Sequence, residues 1–367
     1  MGHHVHAASL GPLQFTDMTT RKICSACGKK LSAASFNQSA SSADGLARTC
    51  RACLNARRRQ RDRSNDKQHP PTVLAKALRQ GDIKTLRNLV RAGTNPHWSW
   101  ICETMREGHL AAAAMLLDSG IKPNIFTMAA MGDEKRLARR LPRVPADARL
   151  AVSMEPASEQ VTPLHVACAT DWRSQGEAAT QTQVQVARTL QEHGADLHAV
   201  ARYRGITDAT PLLCACWMSG NPALVSWLLD EGALATETHL MAALGHLQRH
   251  GRGAYDVAKV ILTRGVKVDG ETPNARTPLQ AFANQGDHRA VAWLLAHGAN
   301  VNARGPGGRA AAHFAAERNT GPKTLSQLAE HGADLSARDD DGRTPLDTAK
   351  LHEKPRLVAW IMQWSAD

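Results

Sequence analysis

The chain of 367 residues is predicted to be all-α, and most of its length is expected to form an elongated solenoid of about nine helix–turn–helix repeats. Glycines that close predicted helices recur at steps of 33, 33 and 34 residues, and Thr-Pro pairs that open helices recur at steps of 67. A fixed period of this size predicts stacked repeats, each of which packs on its neighbours. The glycines are Gly232, Gly265, Gly298 and Gly332, and the threonines are Thr210, Thr277 and Thr344.

One unit, residues 274–304, shows the plan of each repeat. Thr277-Pro278 is a helix start, because the Thr hydroxyl accepts from a free backbone N–H and Pro at the first position lacks a donor that would have no partner. Apolar residues at helical spacing follow on both sides of the break at Gly286-Asp287. Gly298 then ends the second helix.

These motifs make the array similar to the ankyrin family, and the resemblance covers roughly the last four-fifths of the chain. It implies a helix, a turn, a second helix and a β-turn in each repeat, with a concave face and turn tips that bind another protein. The matching segments are TPLHVA at Thr162–Ala167, HGADL at His193–Leu197, HGANVNA at His297–Ala303, HGADLSA at His331–Ala337 and DGRTPLDTA at Asp341–Ala349.

The resemblance also indicates which side chains would contact a partner protein. They lie at the tips of the turns, and they imply a non-enzymatic interaction scaffold whose partner the sequence does not identify. The predicted partner-binding residues are Asn302, Arg304, Arg309, Arg338, Asp340 and Arg343.

The chain is expected to have four parts: a flexible tail at 1–20, a four-cysteine zinc module with a basic helix at 21–63, a linker at 64–71 and the repeat array at 72–367. Residues 1–70 contain 12 Lys and Arg against 4 Asp and Glu, so they carry +8 of the net charge of +11 and leave +3 for residues 71–367. The positive charge is therefore local to the N-terminal part.

The zinc module is predicted from two CxxC pairs separated by 22 residues, with a hairpin turn signal at Asp44-Gly45 between them. A helix-forming sequence follows the second Cys pair. The thiolates of that pair therefore lie at the helix N-terminus, where the helix dipole favours negative charge. Four thiolates form a closed tetrahedral Zn²⁺ site without an open position for chemistry. The predicted ligands are Cys24, Cys27, Cys50 and Cys53.

This layout is similar to the small treble-clef zinc modules of phage recombination endonucleases and HNH nucleases. Those enzymes have a His-containing hairpin between the Cys pairs, whereas residues 28–49 contain no His. The resemblance therefore implies the zinc-binding scaffold of those enzymes but not their catalytic site. A nuclease-derived enzyme that acts on DNA through this module is kept as the alternative function.

An arginine cluster follows the second Cys pair. At helical spacing it suits phosphate contacts with DNA or RNA, and a solvated basic linker helix is the equal alternative. A module that docks protein alone is a third interpretation. The cluster consists of Arg57, Arg58, Arg59, Arg61 and Arg63.

Other features predict structural roles. Four further cysteines lie in apolar segments that are predicted to be helical, and they are expected to be small buried hydrophobic residues. The histidines before closing glycines are expected to act at helix ends, and His165 and His313 lie where ankyrin repeats commonly carry a histidine that bonds to backbone. Tryptophans at one phase of the repeat, Trp227, Trp293 and Trp360, are expected to pack in the core. No apolar run of membrane length or secretory signal exists, so a cytoplasmic location is expected. The Ala- and Arg-rich, Lys-poor composition is typical of a GC-rich bacterial genome.

Overall fold

The computed structural model describes residues 21–23, 30–32, 36–38, 46–50, 71–152, 160–204, 206–250 and 255–365. The chain divides into two units, Met1–Ala75 and Lys76–Asp367. The predicted tail and almost all of the predicted linker lie outside the described residues.

Two antiparallel hairpins are described in the first unit. Strand β1 (Arg21–Ile23) pairs with β2 (Lys30–Ser32), and β3 (Phe36–Gln38) pairs with β4 (Leu46–Cys50). The second hairpin confirms the strand pairing that the Asp44-Gly45 turn signal predicts. Cys50 is the last residue of β4 and lies opposite Phe36. The other three predicted zinc ligands and the arginine cluster lie outside the described residues.

From Pro71 onward, the helices follow one another in pairs. The first helices of neighbouring pairs pack together from α3 onward, and several second helices also pack on the second helix of the next pair. The first helices are α1 Pro71–Gln80, α3 Ser99–Arg106, α5 Ile125–Ala130, α7 Pro163–Ala169, α9 Pro211–Cys214, α11 Glu237–His250, α13 Pro278–Gln285, α15 Ala311–Arg318 and α17 Pro345–Leu351. The second helices are α2 Ile83–Arg91, α4 Leu110–Asp118, α6 Glu134–Arg140, α8 Glu177–Glu192, α10 Pro222–Asp230, α12 Asp256–Thr263, α14 His288–Ala296, α16 Lys323–Glu330 and α18 Pro355–Trp364.

The helix starts confirm the capping prediction. The hydroxyls of Thr162, Thr277 and Thr344 each accept from the backbone N–H three residues later, and Pro follows each of them at the first helical position. Aspartates cap several second helices in the same way, as Asp287 does for α14. These bonds satisfy N–H groups that have no partner within the helix.

The core lies between the two rows of helices. Every side chain of α7 is buried, whereas α14 buries one stripe and exposes its other face. Trp227 and Trp293 are buried on second helices, as predicted. Trp360, by contrast, is only half-buried and stacks on Trp364 at 5.2 Å.

Two elements differ from the sequence-based expectation. The sequence HLQRHGRGAY at 246–255 predicts an insertion in place of the helical turn. Instead, α11 continues through Gly245 to His250, so the first five residues of this segment extend the helix. In addition, β5 (Ala201–Tyr203) and β6 (Ile206–Ala209) form an antiparallel hairpin inside the array.

The length of the connection explains this hairpin. Sixteen residues separate Gly194 from Thr210, whereas twelve separate Gly332 from Thr344. The four additional residues allow two short strands to form where other repeats have a turn. Their side chains alternate, with Ala201 and Tyr203 buried and Arg202 exposed.

The turn before α13 contains a residue in an unfavourable backbone conformation. Ala275 has φ +54°, while the equivalent positions before α15 and α17 are Gly308 and Gly342. A side chain in this region costs about 1–2 kcal/mol, and glycine does not incur that cost. We therefore expect Ala275→Gly to raise the free energy of unfolding by about 0.5–1 kcal/mol after the larger entropy of the unfolded chain is subtracted.

Denaturant unfolding measures this effect. The matched control is Ala292→Gly inside α14, which we expect to lower the free energy of unfolding by about 1 kcal/mol, because glycine disfavours a helix interior. Equal destabilisation by both substitutions would contradict the assignment of strain to Ala275.

Candidate partner-binding surface

Side chains of the first helices donate hydrogen bonds to backbone carbonyls of the following turns and so fix the positions of these turns. The Nε2–H of His165 donates to the Ala209 carbonyl at 2.9 Å, and the Nε2–H of His313 donates to the Arg343 carbonyl at 3.1 Å. Gln280 takes the same position in α13, where its Nε2–H donates to the Ala303 carbonyl at 2.8 Å. The structural role predicted for His165 and His313 is thereby confirmed.

The histidines before the closing glycines act at the ends of second helices. In each, Nδ1–H donates to the carbonyl four residues earlier, at 2.7–2.8 Å, which satisfies a carbonyl in the last helical turn. Their predicted capping role is confirmed. These residues are His193, His297 and His331.

His239 lies near the start of α11, at the position that His165 has in α7, but it makes fewer bonds. Its Nδ1 accepts from the Thr236 backbone N–H at 3.1 Å, and Nε2 has no partner among the described residues. Burial lowers the pKa of His239 from 6.5 to about 4, because the cation loses its hydration.

The lowered pKa makes stability depend on pH. The unfolded chain binds the proton more readily, so the stabilisation is complete above about pH 6.5 and is lost as the pH falls towards 4. The loss is expected to reach about 3 kcal/mol, and the lowered pKa values of His165 and His313 act in the same direction.

Unfolding free energies measured at pH 7.5 and below test this dependence. His239→Gln removes the titrating group but keeps an acceptor, since Gln280 Oε1 accepts from the Thr277 N–H in the same way. We expect the variant to lose less stability on acidification than the wild type. Parallel pH curves for the two proteins would refute the role of His239.

The predicted partner-binding residues lie in the turns before α15 and α17, and several are bonded to one another. Arg304 lies 3.5 Å from the Asp340 carboxylate and donates to the Arg338 carbonyl at 3.0 Å. Arg338 in turn donates to the Gly342 carbonyl at 2.6 Å. Arg304 and Asp340 remain more than half exposed, so their ion pair is available to a partner.

Asn302 bridges two repeats. Its amide donates to the Gly332 carbonyl and its carbonyl oxygen accepts from the Asp334 N–H, both at 2.9 Å. The Asn302 side chain therefore orders the two turns that it connects, and it also presents polar atoms to a partner.

Arg309 and Arg343 form closer ion pairs within the chain than Arg304 does. Arg309 lies 2.7 Å from Glu317 and over the Phe314 ring, and only a fifth of its side chain is exposed. Arg343 pairs with Asp339, at 3.3 Å, and with Asp341. Both arginines therefore stabilise the turns from which they would also contact a partner.

A cleft of about 330 Å³ lies between the first helices α11 and α13. Met241 and Ala281 provide apolar walls, and Asn284 and Arg276 provide polar ones. The sequence-based search did not include these residues. Arg276 could have been found, because it precedes α13 as Arg309 precedes α15 and Arg343 precedes α17, at steps of 33 and 34 residues.

The face of the first helices is covered elsewhere by the β5–β6 hairpin. Arg204, between the two strands, lies 3.1 Å from the Glu103 carboxylate of α3, and Glu103 also pairs with Arg106 at 3.0 Å. Tyr203 is 1% exposed, and burial raises its pKa, with the negative charge of Glu103 acting in the same direction. The chain itself thus occupies the Glu103 side of α3.

The cysteines of the array are buried, as predicted. Burial raises the pKa of Cys214 to about 12 and raises the pKa of each of the other three. Thiols with such pKa values do not supply the thiolate that nucleophilic chemistry needs at neutral pH. The four are Cys102, Cys168, Cys214 and Cys216.

Two further searches cover only the described part of the chain. No group of three His, Cys, Asp or Glu side chains there is arranged to hold a metal ion. None of its helices combines the length and the apolar character that crossing a bilayer requires.

Residues 240–339 match the family model of ankyrin repeats, in three copies. Residues 240–339 therefore carry ankyrin repeats, within the larger series of paired helices. The number of repeats over the whole array stays a prediction.

Two curated proteins are similar to this chain. Ankyrin repeat and SOCS box protein 11 of Danio rerio is 37% identical over 109 residues, which are 30% of this chain and 36% of that protein. The B-cell lymphoma 3 protein homolog of Mus musculus is 29% identical over 194 residues, 52% of this chain and 40% of that protein. The chain thus spans well under half of either relative.

Two solved structures are also similar. The human ASB11 ankyrin repeat domain has a TM-score of 0.47 and 26% identity, with 65% of this chain and 97% of that chain covered. The ankyrin repeat domain of Bcl-3, described as a unique member of the IkappaB protein family, has a TM-score of 0.47 and 25% identity, with 66% and 99% covered.

Proposed function

We propose that this protein is a non-enzymatic scaffold that binds a partner protein through its ankyrin array. The observation that carries the proposal is the cleft between α11 and α13, which lies within the exposed face of a preformed array and combines apolar with hydrogen-bonding walls. A preformed surface loses little conformational entropy on binding. The exposed Arg304–Asp340 pair extends the polar surface along the following turns.

Substitution in the cleft tests this function. Met241→Arg and Asn284→Arg place a long cation against the proposed contact surface, and Gln185→Arg places the same side chain on the exposed face of α8. Proteins that copurify with the full chain would be quantified by mass spectrometry for all four forms. We expect a specific partner to be retained by wild type and Gln185→Arg and lost from the cleft variants.

A partner retained equally by every variant would remove the cleft from the proposal. Variants should first be shown to have wild-type helix content and unfolding midpoints. The Arg304→Ala and Asp340→Ala substitutions then test whether the turn tips, as predicted, belong to the same surface.

We further propose that Cys24, Cys27, Cys50 and Cys53 hold a structural Zn²⁺. Their spacing supports this, as do the strands β1 and β2, which flank the first Cys pair, and β4, which ends at Cys50. Such a site would stabilise a small unit that has few residues with which to form an apolar core.

Metal analysis of the full chain tests the zinc site. We expect one zinc per chain in the wild type and in Cys102→Ala, and none in Cys24→Ser/Cys27→Ser. A wild-type protein purified without chelators that contains no zinc would exclude the site.

The arginines from Arg57 to Arg63 are proposed to contact DNA or RNA beside this site, because a basic helix neutralises phosphates and releases counterions. Binding of a labelled single- or double-stranded oligonucleotide should weaken steeply with salt and be lost in Arg57→Gln/Arg58→Gln/Arg59→Gln. Binding that is insensitive to salt or to these substitutions would favour a module that docks protein alone, and metal-dependent cleavage that they abolish would favour the nuclease alternative.

A further inference from the structure

Four arginines form a stripe along α6 and the residues after it. Arg136, Arg139, Arg140 and Arg143 are spaced at i, i+3, i+4 and i+7, so they share one face of the helix. Leu137 and Leu141, on the neighbouring face, are fully buried and fix the helix against the array. The arginine stripe is therefore presented to solvent by a rigid element.

The stripe lines a cleft of about 350 Å³, which we call the arginine cleft. Its apolar lining is Met128, which is nearly buried, and Val144, which is 43% exposed. The cleft thus combines guanidinium groups at its edge with an apolar surface large enough for one side chain.

The charges in the arginine cleft are only partly neutralised. Arg136 pairs with Asp133 at 3.2 Å and Arg140 with Asp147 at 2.6 Å. Arg139 and Arg143 are exposed and have no carboxylate partner among the described residues. Like charges at i and i+4 repel each other, so an anion between them would relieve a local instability.

We propose that the arginine cleft binds a short acidic segment of a partner protein, one that carries a phosphomonoester or two adjacent carboxylates beside an apolar side chain. Either anion brings a charge of about −2, which matches the two unpaired guanidinium groups. Arginine binds phosphate and carboxylate oxygens through paired N–H donors, which adds directionality to the attraction. The apolar side chain would rest on Met128 and Val144.

A peptide fits this surface better than a nucleic acid does. Asp133 and Asp147 lie at the edge of the stripe, and Glu134 begins the same helix. A long phosphodiester backbone would meet these carboxylates, whereas a short segment can bond to the arginines alone. The apolar lining also has no role in binding a phosphate backbone.

Fluorescence anisotropy with the full chain tests the proposal. The probes are a short labelled peptide with phosphoserine, Asp and Leu, the same peptide with Asp-Asp in place of phosphoserine, a version with Ser and Asn in place of all anions, and a single-stranded DNA oligonucleotide. The test variant is Arg139→Gln/Arg143→Gln. The matched control is Arg87→Gln/Arg91→Gln, which removes two exposed arginines at the same spacing from α2.

We expect one or both anionic peptides to bind the wild type and the control within about twofold of each other, and to bind the test variant about tenfold more weakly or worse. Phosphopeptide binding alone would assign the site to a phosphomonoester, and binding of both peptides would assign it to acidic segments in general. Val144→Glu, which adds a carboxylate to the exposed lining, should also weaken binding.

Three results would overturn the proposal: absence of binding by either anionic peptide at low salt, equal weakening in the test and control variants, or tighter binding of DNA with the same dependence on Arg139 and Arg143. Equal weakening would indicate a response to net charge alone. The arginine cleft lies on α6 and shares no lining residue with the cleft between α11 and α13. A negative result with the peptides would therefore not bear on the partner-binding surface proposed between α11 and α13.

Discussion

Tyr203→Ala is expected to lower the free energy of unfolding by about 3–5 kcal/mol, the range for loss of a fully buried aromatic side chain. Tyr203 is 1% exposed and fixes the β5–β6 hairpin against the array, where Arg204 bonds to Glu103. The substitution leaves a cavity. It also loosens the hairpin that carries Arg204, whose partner Glu103 is paired with the buried Arg106.

Urea unfolding of the full chain, followed by circular dichroism, measures the loss. The control is Val200→Ala in the same connection, which is 55% exposed and should change stability by about 0.5 kcal/mol or less. If Tyr203→Ala were as stable as the control, the hairpin would not be packed on α3 in solution.

Gln183→Leu is expected to cost about 3 kcal/mol or more, although it exchanges a polar for an apolar side chain in the core. The Gln183 amide is 2% exposed; it donates to the Ala167 and Thr170 carbonyls at 2.7 and 2.8 Å and accepts from the amide of Asn221 at 3.0 Å. A Ser219 hydroxyl donates to the same oxygen at 3.2 Å. Removal of the amide leaves several buried polar groups without a partner, and each costs about 1–3 kcal/mol.

Gln185→Leu is the matched control, because Gln185 lies on the exposed face of the same helix. It should change the free energy of unfolding by about 0.5 kcal/mol or less. Gln183→Glu provides a second test, since it keeps the shape but loses the two donors. If Gln183→Leu left stability unchanged, the amide would not connect α7, α8 and α10 as described.

The helix pairs were predictable because each repeat depends on local interactions. A threonine cap, a proline at the first helical position and a closing glycine act within a few residues, and they recur because each repeat packs on its neighbours. The histidines at these positions were assigned correctly for the same reason. The continuation of α11 to His250 was missed because Gly245 and the polar residues after it disfavour a helix locally, whereas the helix runs through them.

The candidate surface was only partly predictable. The six turn residues were chosen for their place in the repeat, and that choice does not indicate that Arg309 stacks on Phe314 or that Asn302 bridges two turns. Met241 and Asn284 were not selected, because a cleft depends on how neighbouring repeats stack. Arg139 and Arg143 were not selected either, since their convergence with Val144 requires the path of the chain after α6.

The repeat period, the helix starts at Thr-Pro and the burial of the cysteines in the array all follow from residues that are close in the sequence. The hairpin contact does not, because Arg204 and Glu103 are 101 residues apart and meet only when the intervening repeats have stacked. The same is true of the Gln183 bonds to α7 and α10, and of both clefts. Local residue patterns thus define the repeat, whereas long-range packing decides which part of its surface the chain covers and which part it leaves open to a partner.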